Sequence, residues 1–289
     1  MTRTASTCVA PALLALAVVL AGCRERGQAE APRITAARVP LGSILNDPEA
    51  AFWRGVLQAR VTVLPQSVVA PTIREPAVGA LLVRAAHDGE LLAVRLEWSD
   101  SSESHVTGVD RFGDQVAVEF PVNHTPEVMP SPMMGHQGAP VRILQWRSEL
   151  QWELAHGRPR IQDLYPNAVV DLYPDSLLGG EVAAPYTGGR AVGNPVAQPR
   201  LLSPVIAHIA EGFGTLTDAV DQQANGTGTW RNRRWHVVIT HPLDLSGPEP
   251  KGLRPGLETV IGFAVWDGGH NEVGSRKGWA GWLPFMLEP

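Results

Sequence analysis

Two short segments hold the residue types most able to do chemistry. Met129-Pro130-Ser131-Pro132-Met133-Met134-Gly135-His136 crowds three of the five methionines into a Pro/Gly loop behind a strand-like run. Gly274-Ser275-Arg276-Lys277-Gly278-Trp279 sets one of only two lysines between glycines and beside an aromatic segment. Methionine at such density is ordinarily core filler, and a lone lysine is ordinarily a solvated surface charge, so neither segment identifies a function by itself. His236 and His241 stand five apart on a strand-like run, which puts them on opposite faces and argues against a shared metal. Asp163, Asp171 and Asp175 lack the spacing of an EF-hand loop and read as solvated loop acids. No Gly-x-Ser-x-Gly, phosphate-cradling glycine loop or paired-carboxylate signature is present, so no enzyme active site is visible.

Both cysteines, Cys8 and Cys23, fall within the first 23 residues. A disulfide, a thiolate zinc site or an iron–sulfur cluster in the rest of the chain is thereby excluded. The absence of Cys-x-x-Cys-His also excludes covalently attached haem. Arg3 followed by the short apolar run Pro11–Ala21 has the build of a signal peptide and is too brief for a spanning helix. Leu20-Ala21-Gly22-Cys23 resembles the lipobox of bacterial lipoproteins, in which the chain is cut before the cysteine and the sulfur is lipidated. The expected organisation is a lipoprotein signal peptide over 1–22, a lipidated tether over 23–40 and one domain over 41–289, periplasmic and lipid-anchored to a bacterial membrane. With two lysines and a net charge of −5, the chain is not a nucleic-acid binder.

The elements that must position these residues are mostly β. Leu92, Val94, Leu96 and Trp98 alternate with Ala93, Arg95 and Glu97, the period of a half-buried strand. Val116, Val118, Phe120 and Val122 repeat the pattern, and further runs lie at Val61–Pro65, Ala80–Ala86, Val141–Trp146, Trp235–Thr240, Thr259–Trp266 and Trp279–Leu287. Such strands, punctuated by Gly, Pro, Asp and Asn, predict an antiparallel β-sandwich with a few short helices and long loops. Asp47-Pro48 predicts a short helix through Phe52 and Trp53, and Ser203-Pro204 a second one ending at Gly212. The latter lies in a long Pro/Gly-rich excursion between Gln151 and Gly228, which must carry function or fold over a site.

Read in order, several motifs resemble one family. They include Leu96-Glu97-Trp98-Ser99-Asp100, Phe112-Gly113-Asp114-Gln115, Met133-Met134-Gly135 and Pro140-Val141-Arg142-Ile143-Leu144-Gln145-Trp146-Arg147. They continue through Glu211-Gly212-Phe213-Gly214, Trp235-His236-Val237-Val238, Phe263-Ala264-Val265-Trp266-Asp267-Gly268 and Gly274-Ser275-Arg276-Lys277. The family is the haem b-binding gamma subunit of periplasmic molybdenum enzymes of the dimethyl sulfoxide reductase type, which includes ethylbenzene, dimethylsulfide, selenate and chlorate systems.

The resemblance implies a β-sandwich holding one non-covalent haem b between a methionine and a lysine. The matching positions are Met134, immediately before glycine, and Lys277, in the turn before the last strand; Met133 leaves a one-residue ambiguity. A thioether favours ferrous iron, and lysine ligates only as the free amine, which requires a lowered pKa. With both axial positions filled the subunit would be non-catalytic, relaying electrons between a molybdopterin-containing catalytic subunit with its iron–sulfur subunit and periplasmic or membrane carriers. Trp146, Trp279 and Trp282 could pack on the porphyrin, and Arg142, Arg147 or Arg276 could pair with its propionates. A lipid-anchored carbohydrate- or ligand-binding DOMON-like module without haem has the same architecture, and Met134 with Lys277 favours haem over it.

Overall fold

Alternation of apolar and polar residues along Leu91–Ser99 sends Leu92, Val94, Leu96 and Trp98 to one face, where each is almost completely buried. A computed structural model of the chain describes residues 2, 32–40, 42–43, 46–106, 108–123, 128–168, 188–244 and 253–289. Cys8, Cys23, Asp171, Asp175 and Lys251 lie outside the described residues. Ala31–Pro289 forms one unit, and within it the strands are β1 (Ile34–Arg38), β2 (Ala59–Thr62), β3 (Leu64–Pro65), β4 (Ala80–His87), β5 (Leu91–Ser99), β6 (Gln115–Pro121) and β7 (Val141–Arg147). After helix α1 (Ser148–His156) come β8 (Val205–Ala210), β9 (Thr217–Asp218), β10 (Asn225–Arg231), β11 (Arg234–Pro242), β12 (Glu258–Trp266) and β13 (Gly278–Leu287).

All these strands belong to one curled sheet ordered β10-β11-β5-β4-β1-β13-β12-β6-β7-β8-β9, with β2 added on β4 and β3 on β13. Pairing is antiparallel except at β1, which runs parallel to both β4 and β13. The predicted antiparallel sandwich is thus a mixed sheet whose two wings curl to face each other across one core. Trp146 on β7 meets Trp235 on β11 with ring centroids 5.0 Å apart, although six strands separate them in the sheet order. Glycines in β10 make that approach possible, since a Cβ at Gly228 would collide with the Trp146 ring.

Every strand expected from alternation is present, but three segments differ from expectation. Residues 34–38, read as part of a polar tether, form β1, because Ile34 and Ala36 alternate inward and the strand is hydrogen-bonded on both edges. Val205–Ala210, read as a helix from its Ser-Pro start, is β8, paired along its length with β7. Its run of Val, Ile and Ala suits a strand covered on both faces. Near Asp47 the helix is one 3-10 turn, Ala51–Gly55, with the Asp47 carboxylate accepting from Glu49 N–H at 2.8 Å.

Candidate functional site

Side-chain parity fixes where the site lies. On β6, β7 and β12, Val118, Leu144 and Phe263 point into the core, so Glu119, Ile143, Gln145 and Ala264 point to the outer face of that wing. Cross-strand register puts His208, Ile143, Glu119 and Gly262 in one row across β8, β7, β6 and β12. Over this row lies a recess of about 330 Å³, beside a smaller one of about 50 Å³ that shares with it walls at Gln66, Met134, Phe213 and Lys277. Phe213, Gly214 and Leu216, in the long excursion, line the recess.

The Met loop is held by its backbone. Met134 has φ +67° and Gly135 φ +72°, and a Cβ at Gly135 would lie 2.7 Å from Ala139 O and 2.9 Å from Ala210 O, so glycine is required there. Gly212 N–H donates to Met134 O at 2.7 Å, tying the loop to the end of β8, and the Trp282 indole donates to Pro130 O at 2.7 Å. Met134 lines both recesses, whereas Met133 lines only the smaller.

Lys277 enters from the other side on a turn that is equally fixed. The Gln66 side chain donates to Ser275 O at 2.8 Å and its backbone N–H to Lys277 O at 3.0 Å, while Trp266 Nε1–H donates to Gly274 O at 2.9 Å. The half-buried Lys277 ammonium makes no hydrogen bond or salt bridge among the described residues and lies 5.1 Å from the Trp266 ring centroid. Desolvation holds its pKa below the usual lysine range, against the opposing pull of Glu119. Burial in turn pushes the Glu119 carboxyl up to about 8, against Lys277 and the Met134 backbone N–H, and its Oε1 has no hydrogen-bond partner. At the β8 end, His208 is buried, its Nδ1 2.9 Å from Asp218 Oδ1 and its Nε2 unpartnered beside the recess.

The structure therefore brings Met134 and Lys277 to one recess and adds Glu119, His208, Gln66 and Trp266, which sequence reasoning passed over. Trp279 lines the smaller recess and Trp282 supports the Met loop, but Trp146 is fully buried on the core face and cannot reach a group in the recess. Arg142 shares that opposite parity and faces Asp221 at 3.7 Å. Arg147 pairs with Glu149, and Arg276 lies over the Phe112 ring. None of the three arginines lines the recess. His236 and His241 do point oppositely, the first toward Arg95 and Glu97, the second toward Phe120.

Comparison with known proteins bears on this arrangement. The family model described as ethylbenzene dehydrogenase matches residues 50–160. The chain is 32% identical to the gamma subunit of dimethylsulfide dehydrogenase from Rhodovulum sulfidophilum, over 80% of this chain and 72% of that one. It is 27% identical to the gamma subunit of chlorate reductase from Ideonella dechloratans, over 91% of this chain and 90% of that one. Among solved structures it is similar to a family 9 carbohydrate-binding module from Caldicellulosiruptor kristjanssonii in complex with glucose, at 10% identity and a TM-score of 0.41, over 89% of this chain and 96% of that one. With a relative at 32% identity matched along most of both chains, the protein belongs to the ethylbenzene dehydrogenase haem-binding family.

Proposed function

We propose that the protein is a non-catalytic electron-transfer subunit that holds one haem b in the recess, with Met134 and Lys277 as the two axial ligands. The observation that carries this reading is that two residues far apart in sequence, one a soft thioether and one a desolvated amine without a hydrogen bond among the described residues, line the same recess. The remaining walls fit a flat apolar group. Ile143 and Trp266 are apolar, and Phe213 and Leu216 stand at the mouth with about half their surface exposed. When bound, haem supplies a one-electron iron couple.

The chain's own part is positional. The Gly135 turn presents Met134, the Gln66 and Trp266 contacts present Lys277, and burial keeps the amine closer to its neutral, ligating form. Placing a ligand on each side leaves no open position for substrate, which fits a relay within a complex containing a molybdopterin subunit and an iron–sulfur subunit. The electrons would pass between that complex and periplasmic or membrane carriers, with Cys23 as the lipid anchor.

Absorption spectroscopy of protein expressed in the periplasm of haem-sufficient cells tests the site. A reducible low-spin b-type spectrum is expected, lost or converted to high spin in Met134→Ala and Lys277→Ala. A colourless wild-type protein overturns the reading. For the anchor, Cys23→Ser should appear in the soluble periplasmic fraction, and unchanged membrane retention counts against lipidation.

A further inference from the structure

Away from the recess, Asp100 at the end of β5, Asp114 just before β6 and Asp267 just after β12 converge, with carboxylate oxygens all within 4.8 Å of one another. All three are buried, at 3%, 0% and 2% exposure. Three carboxylates out of water at this separation are costly without compensating charge. Beside them the His270 ring stands at the rim, its Nδ1 2.8 Å from Asp267 Oδ2, and the buried Glu272 lies nearby.

Amide and indole donors satisfy part of the cluster. Asp114 accepts from Ser104 N–H at 2.7 Å, Gly268 N–H at 2.9 Å and Trp235 Nε1–H at 2.9 Å. Asp100 Oδ1 accepts from Ser102 N–H at 3.0 Å. A separate observation points to a missing ligand: Asp100 Oδ2 and the Trp98 indole N–H beside it are both buried without a close hydrogen-bond partner among the described residues.

We propose that Asp100, Asp114 and Asp267 bind a hard divalent cation of the calcium class. Oxygens on opposite sides of a calcium ion lie about 4.6–5.2 Å apart, twice its usual ligand distance, so three oxygens within 4.8 Å of one another can share one ion. The donor set is all oxygen, which selects calcium over the softer transition metals. Calcium's tolerance of irregular coordination suits carboxylates that already accept amide hydrogen bonds. Such an ion would cross-link the β5–β6 connection to the start of the β12–β13 connection, the segment that carries Lys277 at its far end. The site does not depend on the haem reading, and its test needs no haem.

The test uses the full chain freed of metal with EDTA and titrated with terbium while tryptophan is excited. Trp235, hydrogen-bonded to Asp114, is placed to sensitise an ion held there. Expected are sensitised emission that saturates at one terbium per chain, displacement by calcium, and a rise in melting temperature of roughly 5–10 °C at a hundredfold excess of calcium over its Kd. Asp267→Asn should abolish the emission while the far-UV circular dichroism stays native; should that variant not fold, the wild-type titration decides alone. The proposal is overturned by an unchanged melting temperature in millimolar calcium with no emission. Emission that calcium does not displace, or that persists in folded Asp267→Asn, marks adventitious surface carboxylates and overturns it equally.

Discussion

Glu119 shows how one buried carboxyl couples the site to pH. Its pKa is raised to about 8 by burial from a reference of 4.5, so the folded chain holds a proton that the unfolded chain releases. Stability from this group is therefore complete below pH 4.5 and lost as pH rises toward 8. Asp100, raised to about 6, and Asp114, raised to about 7, act in the same direction but are spent earlier. The haem-free chain in EDTA should thus lose melting temperature between pH 7 and 8, and Glu119→Gln should flatten that interval. An equal decline in the variant, followed by calorimetry across pH, sinks the assignment to Glu119. The sequence points to Met134 and Lys277 only through the family resemblance, since a Met-rich loop and a lone lysine identify no function by themselves. It could not show Glu119 or His208, because outward polar residues on a strand are ordinary, and their burial comes from loops remote in sequence.

At the scale of elements, period-two patterning located the strands that have one face in the core and failed where other signals competed. A Ser-Pro start imitates a helix cap before β8, but the β-branched run that follows is decided by pairing with β7. The helix that does follow a strand here, α1, begins at Ser148 with Glu149 in its first turn and ends at Gly157 with φ +86°, signals that straddle the start of the excursion. The reason for the glycines of β10 is not legible in its sequence. A Cβ at Gly226 would lie 2.8 Å from Val205 Cγ2, and one at Gly228 would strike the Trp146 ring, so the strand must lack side chains where the opposite wing presses on it. Gly228→Ala is expected to cost about 1–3 kcal/mol by overpacking. Combined with Trp146→Phe, the loss should be less than the sum of the two single losses, measured by denaturant unfolding. Strict additivity would mean that the Ala methyl and the indole do not compete for the same space.

Across the whole molecule, β1 decides where the folded unit begins. The sheet path passes from β4 to β13 only through β1, with β2 and β3 lending short pairings to those same two strands. β1 contributes Ile34 and Ala36 to the common core and pairs in parallel on both sides, Ala36 opposite Ala85 and Leu287. The C-terminal residues close over the same strand: Glu288 N–H donates to Ala36 O at 3.1 Å, Arg38 N–H to the Glu288 carboxylate at 2.9 Å, and His87 Nε2 meets Glu288 O at 2.8 Å. A domain starting at residue 41, as composition alone suggests, would expose an edge of both β4 and β13 and uncover the seam between the wings. Residues 31–289 should therefore unfold cooperatively at the melting temperature of the full chain, whereas residues 41–289 should be insoluble or lack a cooperative transition. A shorter chain that melts at the same temperature as the longer one would show that the two wings hold together without β1, and that the core contact of Trp146 with Trp235 suffices to keep the sheet curled.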